Sequence, residues 1–384
     1  MGPVIILDKS TFQSLSRREH VLLHKHFTEN LTPILAMELL GDLAKQPKRQ
    51  RRKKSAESQV SEIAGKFGGS GPVTNVDYLT LVYTALLGAP VPTTGQIIPE
   101  NVTHVQGPGG SRGALIGPSA FNRALLQWSG GRFSEFEREL ADYWRQITKG
   151  ISLDAFRSRL DTHHITLPHV EQLEHLTPTA DGLLATHTLQ DAWLEWLLGQ
   201  LSLPAPYERA ICARWRSRIS SLLRDFAPYA WFVLRATLVL LLATRYNLVR
   251  WRPTSLLDVQ YLYYLPFCMV FASGDLVHQA LAPLLLRPDQ SFVAGDKLKA
   301  DLRRLVDELD HMDDRHREML SFALGVYPTP ARGSVVYNLW KKHMRPWGPG
   351  SGNRATSLSS ADQEEAIRWV EQMVRDAETA QRWK

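Results

Sequence analysis

The stretch from residue 254 to 307 restricts this chain more than any other, because it reads in order as helix, strand, turn, helix, strand, helix. Thr254 or Ser255 can cap a helix running through Tyr264, and Pro266 stops it. The apolar run Phe267–Ala272 has strand character, and Ser273-Gly274-Asp275 turns the chain. A helix is predicted over Leu276–Leu286 and a short strand at Ser291–Ala294. A last helix opens at Gly295-Asp296 and carries Lys297, Lys299, Asp301, Arg303 and Arg304. Strands separated by helices pair in parallel, so this order predicts a doubly wound α/β sheet, whose ligands bind beyond the carboxyl ends of the strands.

The N-terminus has the same grammar. Val4–Leu7 is a short apolar, β-branched run that ends at Asp8, and Ser10-Thr11-Phe12-Gln13 then has capping-box spacing for a helix. Pro33 begins a second helix, in which Glu38 sits among Ile34, Leu35, Met37, Leu39 and Leu40, with Asp42 one turn further on. From residue 46 to about 115 the text turns polar and glycine-rich, with GKFGGSG and GPGGSRG around the apolar patch Tyr78–Leu87. Helical patterning follows at Phe133–Ile147 and Leu189–Leu201, and helices resume over 207–245. The predicted organisation is an α/β core made of residues 1–45 and 205–330, an insertion over 46–204 that is loop-rich and then helical, and a C-terminal linker and helix over 331–384. That tail holds WKKHMRPWGPGSGN and an amphipathic helix from Ser360 to Trp383, a surface for a protein partner or a second copy.

Composition narrows the classes. Of 384 residues 44% are hydrophobic and 22% charged, which excludes a wholly disordered or collagenous chain. The net charge of +6 has one source, since Lys45, Lys48, Arg49, Arg51, Arg52, Lys53 and Lys54 together exceed it. A basic coat over the whole surface is therefore not supported, but this run could steer a polyanion. Two cysteines, Cys212 and Cys268, supply neither a disulfide framework nor a cysteine zinc site and fit a reducing compartment. MGPVIILDKS lacks a basic leader, so no secretory signal and a cytoplasmic location are expected. Ala230–Thr244 is interrupted by Arg235 and closed by Arg245, too short a run for a membrane span, and reads as a buried helix.

Asp8, Glu38, Asp258 and Asp275 are carboxylates in otherwise apolar contexts. Convergent carboxylates repel, and a cluster of them calls for a cation, most simply Mg²⁺ or Mn²⁺; ions so held suit phosphodiester hydrolysis. Each also has a plainer reading: a turn at Asp8, a lysine pair such as Lys45 for Glu38, a capping box from Ser255 for Asp258, and an N-cap for Asp275. GKFGGSG is no P-loop, and neither HExxH nor Gly-x-Ser-x-Gly occurs. His20, His24 and His26 read as surface histidines, and Trp193 and Trp196 as core.

The four pieces IILDKS, PILAMELLGDL, SLLDVQYLYYLPF and CMVFASGD resemble, in that order, the PIN-domain nuclease family. The resemblance implies a PIN-like, mostly parallel sheet flanked by helices, and a metal-dependent endonuclease acting on RNA ahead of DNA, in a toxin, RNA-processing or defence setting. It implies Asp8, Glu38, Asp258 and Asp275 as metal ligands and catalytic residues. Asp42 is a second-choice ligand, and Lys9 and Ser273 are phosphate contacts beside the Lys48–Lys54 run. The long insertion departs from the family's compact pattern, and Cys268-Met269-Val270 lacks an acid that some members place there. The alternative is the same scaffold without turnover, binding nucleic acid or protein.

Overall fold

The computed structural model describes residues 2–45, 54–67, 72–106, 112–150, 158, 160–201, 203–220, 222–250, 252, 255–312, 328 and 331–344. Strand β1 (Val4–Leu7) leads through α1 (Lys9–Ser14) and α2 (Arg17–His26) to β2 (Thr28–Leu31) and α3 (Pro33–Leu40). Then come α4 (Ala56–Ala64), β3 (Val73–Thr74), α5 (Tyr78–Leu87), the antiparallel hairpin β4 (Val102–Gln106) and β5 (Arg112–Ile116), α6 (Ala120–Ser129) and α7 (Glu135–Gly150). Helices Leu176–Ala185, Gln190–Leu201, Ala205–Arg216, Leu223–Phe226, Pro228–Arg245 and Ser255–Leu262 follow, then β6 (Val270–Ser273), helix Leu276–Leu285, β7 (Ser291–Ala294), and helices Gly295–Asp310 and Val335–His343.

Five strands form one parallel sheet in the order β3-β2-β1-β6-β7. Helices flank it, as the strand-helix alternation predicts. β1 and β6 lie at its centre, with Ile5 against Val270 and Leu7 against Ala272. Centre strands covered on both faces need apolar side chains throughout, and Ile5, Ile6, Val270, Phe271 and Ala272 are all buried. β7 and the helix after it start at the predicted residues, Ser291 and Gly295.

Several local readings need correction. Asp8, not Ser10, caps α1, its carboxylate accepting from the Thr11 amide at 2.9 Å. The capping box lies one helix later, at Ser16 and Glu19. Phe267 belongs to a short 3₁₀ turn, Leu265–Phe267, and the strand begins only at Val270. Strand β2 was hidden by its polar sequence, TENL, because Glu29 and Asn30 are buried and find partners across the fold. Glu29 accepts from His20 Nε2 at 2.7 Å and His24 Nδ1 at 3.0 Å, and Asn30 Nδ2 donates to the Phe267 carbonyl at 2.9 Å. His20 and His26 are accordingly buried rather than at the surface. The edge strand β3 comes from within the glycine-rich stretch 46–115. Residues 335–343, expected as linker, are a helix that buries Trp340, whose Nε1 donates to the His26 carbonyl at 2.8 Å.

The apolar run around 230–244 is the centre of an 18-residue buried helix, Pro228–Arg245. Its Arg235 is neutralised by a two-pronged pair with Asp181, at 2.5 and 3.0 Å. Among the described residues no helix is long and apolar enough to cross a membrane. Trp193 and Trp196 are buried, as expected of core. The predicted helix over Ser360–Trp383 lies outside the described residues.

Candidate active site

The order of the sheet reverses at β1. Chain leaving β1 builds outward through β2 and β3, whereas β6 and β7 add on the other side. The carboxyl ends of β1 and β6 therefore flank the switch point, where open α/β sheets bind ligands. Asp8 directly follows β1, and Asp275 follows β6 by two residues. Each is fixed as a helix N-cap: Asp8 through Thr11, with Ser10 Oγ donating to its other oxygen at 2.6 Å, and Asp275 through the Val277 amide at 2.7 Å. Asp8 is only 3% exposed.

The other two carboxylates arrive on helices. Glu38, near the end of α3, accepts from the Tyr261 hydroxyl at 2.5 Å, which joins α3 to the helix Ser255–Leu262 that bears Asp258. Asp42 is claimed by two lysines, with Lys9 Nζ at 2.7 Å and Lys45 Nζ at 2.5 Å, and Lys9 also donates to the Glu38 carbonyl at 2.9 Å. Lys45 thus pairs with Asp42 and not with Glu38. Burial lowers the Lys9 pKa against the pull of Asp42 and Glu38, so Lys9 is placed as an internal counter-charge. Ser273 is fully buried, facing His278 instead of solvent.

Sequence reasoning missed His278 and Tyr261. His278 is 1% exposed and ties the two ends of the site together. Its Nε2 donates to the Asp258 carbonyl at 2.7 Å, and its Nδ1 meets the Ser273 hydroxyl at 2.8 Å, whose oxygen also accepts from the Asp275 amide at 3.0 Å. The Asp8 carboxylate lies 3.9 Å from the same ring. The usable signal was spacing: His278 is one helical turn past Asp275 on an otherwise apolar helix, the side turned towards the sheet.

Electrostatics show the four acids acting on one another. Burial, then Asp275, Glu38 and Asp8 in that order, push the Asp258 carboxyl up to about 8. Burial also raises Glu38, with Lys9 and the Tyr261 hydroxyl opposing and Asp42 and Asp8 reinforcing. No hydrogen bond reaches the Asp258 carboxylate among the described residues. A concentration of negative charge that forces one member to hold its proton is the electrostatic setting that a divalent cation relieves. In charge and donor chemistry the set fits Mg²⁺ or Mn²⁺. Its geometry is less advanced: among the described residues no group of three or more His, Cys, Asp or Glu side chains is placed to hold a metal. Oxygens of Asp8, Asp275 and Glu38 are engaged by the two caps and the Tyr261 bond.

No family model, curated protein or solved structure matches this chain. The site therefore stands on its own geometry. Of the basic run, Lys48, Arg49, Arg51, Arg52 and Lys53 lie outside the described residues, and Lys54 is exposed and paired with Glu62 at 2.7 Å.

Proposed function

We propose that this chain is a PIN-like, divalent-metal-dependent endonuclease that acts on RNA ahead of DNA. The observation that carries the reading is the Asp258 carboxyl, pushed up by burial and then by Asp275, Glu38 and Asp8, acids from separate segments of the chain near the switch point of a parallel sheet. Asp8, Glu38, Asp258 and Asp275 would hold Mg²⁺ or Mn²⁺, which when bound would activate water and offset charge developing on the phosphate. The rest of the work falls to the chain. The two N-caps fix Asp8 and Asp275 at the ends of β1 and β6. Tyr261 orients Glu38, and His278 with Ser273 keeps the Asp258 helix in register with Asp275. Asp258, its carboxyl raised to about 8, would be the acid whose ionised form a bound cation favours most. Lys9 offsets Asp42, leaving the remaining acids as the cation's partners. Phosphate contact by the Lys45–Lys54 run would add salt-dependent steering of a polyanion.

A second reading is favoured by the absence of a formed three-ligand group among the described residues: a scaffold that binds nucleic acid or protein without turnover. One assay separates the two. Purified protein is incubated with labelled single-stranded RNA, structured RNA and DNA in Mg²⁺ or Mn²⁺, beside EDTA and an Asp275→Asn variant. The nuclease reading expects metal-dependent cleavage that falls by at least about a hundredfold in the variant, whose asparagine still caps its helix. No cleavage, with no divalent-ion effect on thermal melting, establishes the silent scaffold.

A further inference from the structure

A second cavity lies behind the Asp258 helix. It has a volume of about 160 Å³ and is enclosed by α5, the helices Gln190–Leu201 and Pro228–Arg245, and the back of Ser255–Leu262. We propose that it is a binding site for a small, uncharged, single-ring aromatic ligand bearing one carbonyl-type hydrogen-bond acceptor.

Three observations support the assignment, and none depends on the nuclease reading. The first is size, since a cavity of about 150 Å³ accepts one benzene ring. The second is the wall. Tyr78, Trp196 and Tyr263 face it, with the Tyr78 and Tyr263 rings 4.9 Å apart at 47°, and no charged side chain lines it. Such a lining favours a flat apolar body and penalises an ion. The third is a spare donor. Gln200 lines the cavity, and its Nε2 is withdrawn from solvent with no hydrogen-bond partner among the described residues. A buried donor left in that state costs about 1–3 kcal/mol, which a ligand acceptor would recover.

Two of the other polar groups there are paired with each other. Thr237 donates to the Val233 carbonyl at 2.9 Å, so the Tyr263 hydroxyl, 2.8 Å away, donates to Thr237. The Gln200 amide is the donor assigned to the ligand. Leu256 and Gln260 supply the floor, and each is two residues from Asp258, so they point away from it on the helix. The cavity is a different site from the carboxylate cluster, sharing one helix with it.

The test uses the full chain with two single-ring probes, benzamide, which carries a carbonyl acceptor, and toluene, which carries none, followed by ligand-observed NMR titration and thermal melting. Benzamide is expected to bind more tightly than toluene and to raise the melting temperature. Gln200→Leu should weaken benzamide about fivefold, the worth of one hydrogen bond, while leaving toluene unchanged or tighter. Leu197→Phe should exclude both rings. If that variant fails to fold, Gln200→Leu against the two probes still decides. Failure of both probes to bind overturns the proposal. So does equal binding of the two with no effect of Gln200→Leu, which would mark a plain apolar void.

Discussion

Two carboxylates of this protein, the buried Glu29 and the half-buried Asp258, are displaced in opposite directions, and their surroundings explain both. Asp258 is surrounded by acids and is raised to about 8, whereas Glu29 sits between two histidines. Burial pushes the Glu29 carboxyl up, but His20 and His24 outweigh it and hold it at about 2. The ring nitrogens of His20 meet the Lys66 carbonyl at 2.8 Å and the Glu29 carboxylate at 2.7 Å. This links α2, β2 and the segment after α4, under the stacked pair Phe12 and Phe67. Because its folded pKa is depressed below the ordinary 4.5, ionised Glu29 contributes stability that is fully present above about pH 4.5 and is lost as pH falls towards 2. Glu29→Gln should therefore cost about 3 kcal/mol at neutral pH, since it leaves a buried histidine pair without its anion. The difference from wild type should shrink as denaturant titrations are repeated from pH 5 down to pH 3. A cost that stays constant across that range would mean that Glu29 acts through packing, not charge.

At the scale of elements, the chain following β6 and β7 approaches α1 so closely that a side chain at Gly295 has no room. A Cβ on Gly295 would overlap Thr11 Oγ1 and come within 3.1 Å of the Gly274 amide, and one on Gly274 would lie 3.2 Å from Ser10 Oγ. Thr11 Oγ1 is buried without a hydrogen-bond partner, so the threonine is held there by shape. Gly295→Ala should lower stability by about 1–3 kcal/mol through overpacking. Thr11→Ala, which removes the overlapping atoms, should restore most of it in the double variant, a coupling that a thermodynamic cycle measures directly. Additive losses would show that the clash is relieved elsewhere. These contacts also explain what could be read from the chain alone. Val4–Leu7 announces itself because a central strand must be apolar, and Ser291–Ala294, at the sheet's edge, because a short strand between two helices continues the alternation. The TENL strand could not be found that way, since its acid and the amide N–H of Asn30 find partners 5 to 237 residues away. The same holds for the site: the acids were legible from their apolar surroundings. The bond from Tyr261 to Glu38 and the bridge through His278 were not, because each joins elements that meet only in the folded chain.

For the whole molecule the important fact is that the sheet's centre joins distant parts of the chain. β1 lies beside β6, so residues 5–7 pair with 270–272. The intervening chain contains most of the helices, and a chain of this length commonly divides into separately melting parts. Here one long helix packs on both sides of such a division. Helix Pro228–Arg245 packs on Leu176–Ala185 and α5 on one side, and on the helices Ser255–Leu262 and Leu276–Leu285, which carry and follow the acids, on the other. Losing it would uncover both sets at once. Unfolding in urea should therefore be a single transition, with tryptophan fluorescence coinciding with far-ultraviolet circular dichroism. Trp193 and Trp196 report on the intervening helices and Trp340 on the sheet side. Leu238, fully buried in the bridging helix, gives the sharper test. Leu238→Ala should cost about 2–5 kcal/mol and move both signals to the same lower midpoint. If fluorescence and dichroism separate in this variant, the helices between β3 and β6 form a domain of their own, and the carboxylate site would keep its shape after they melt.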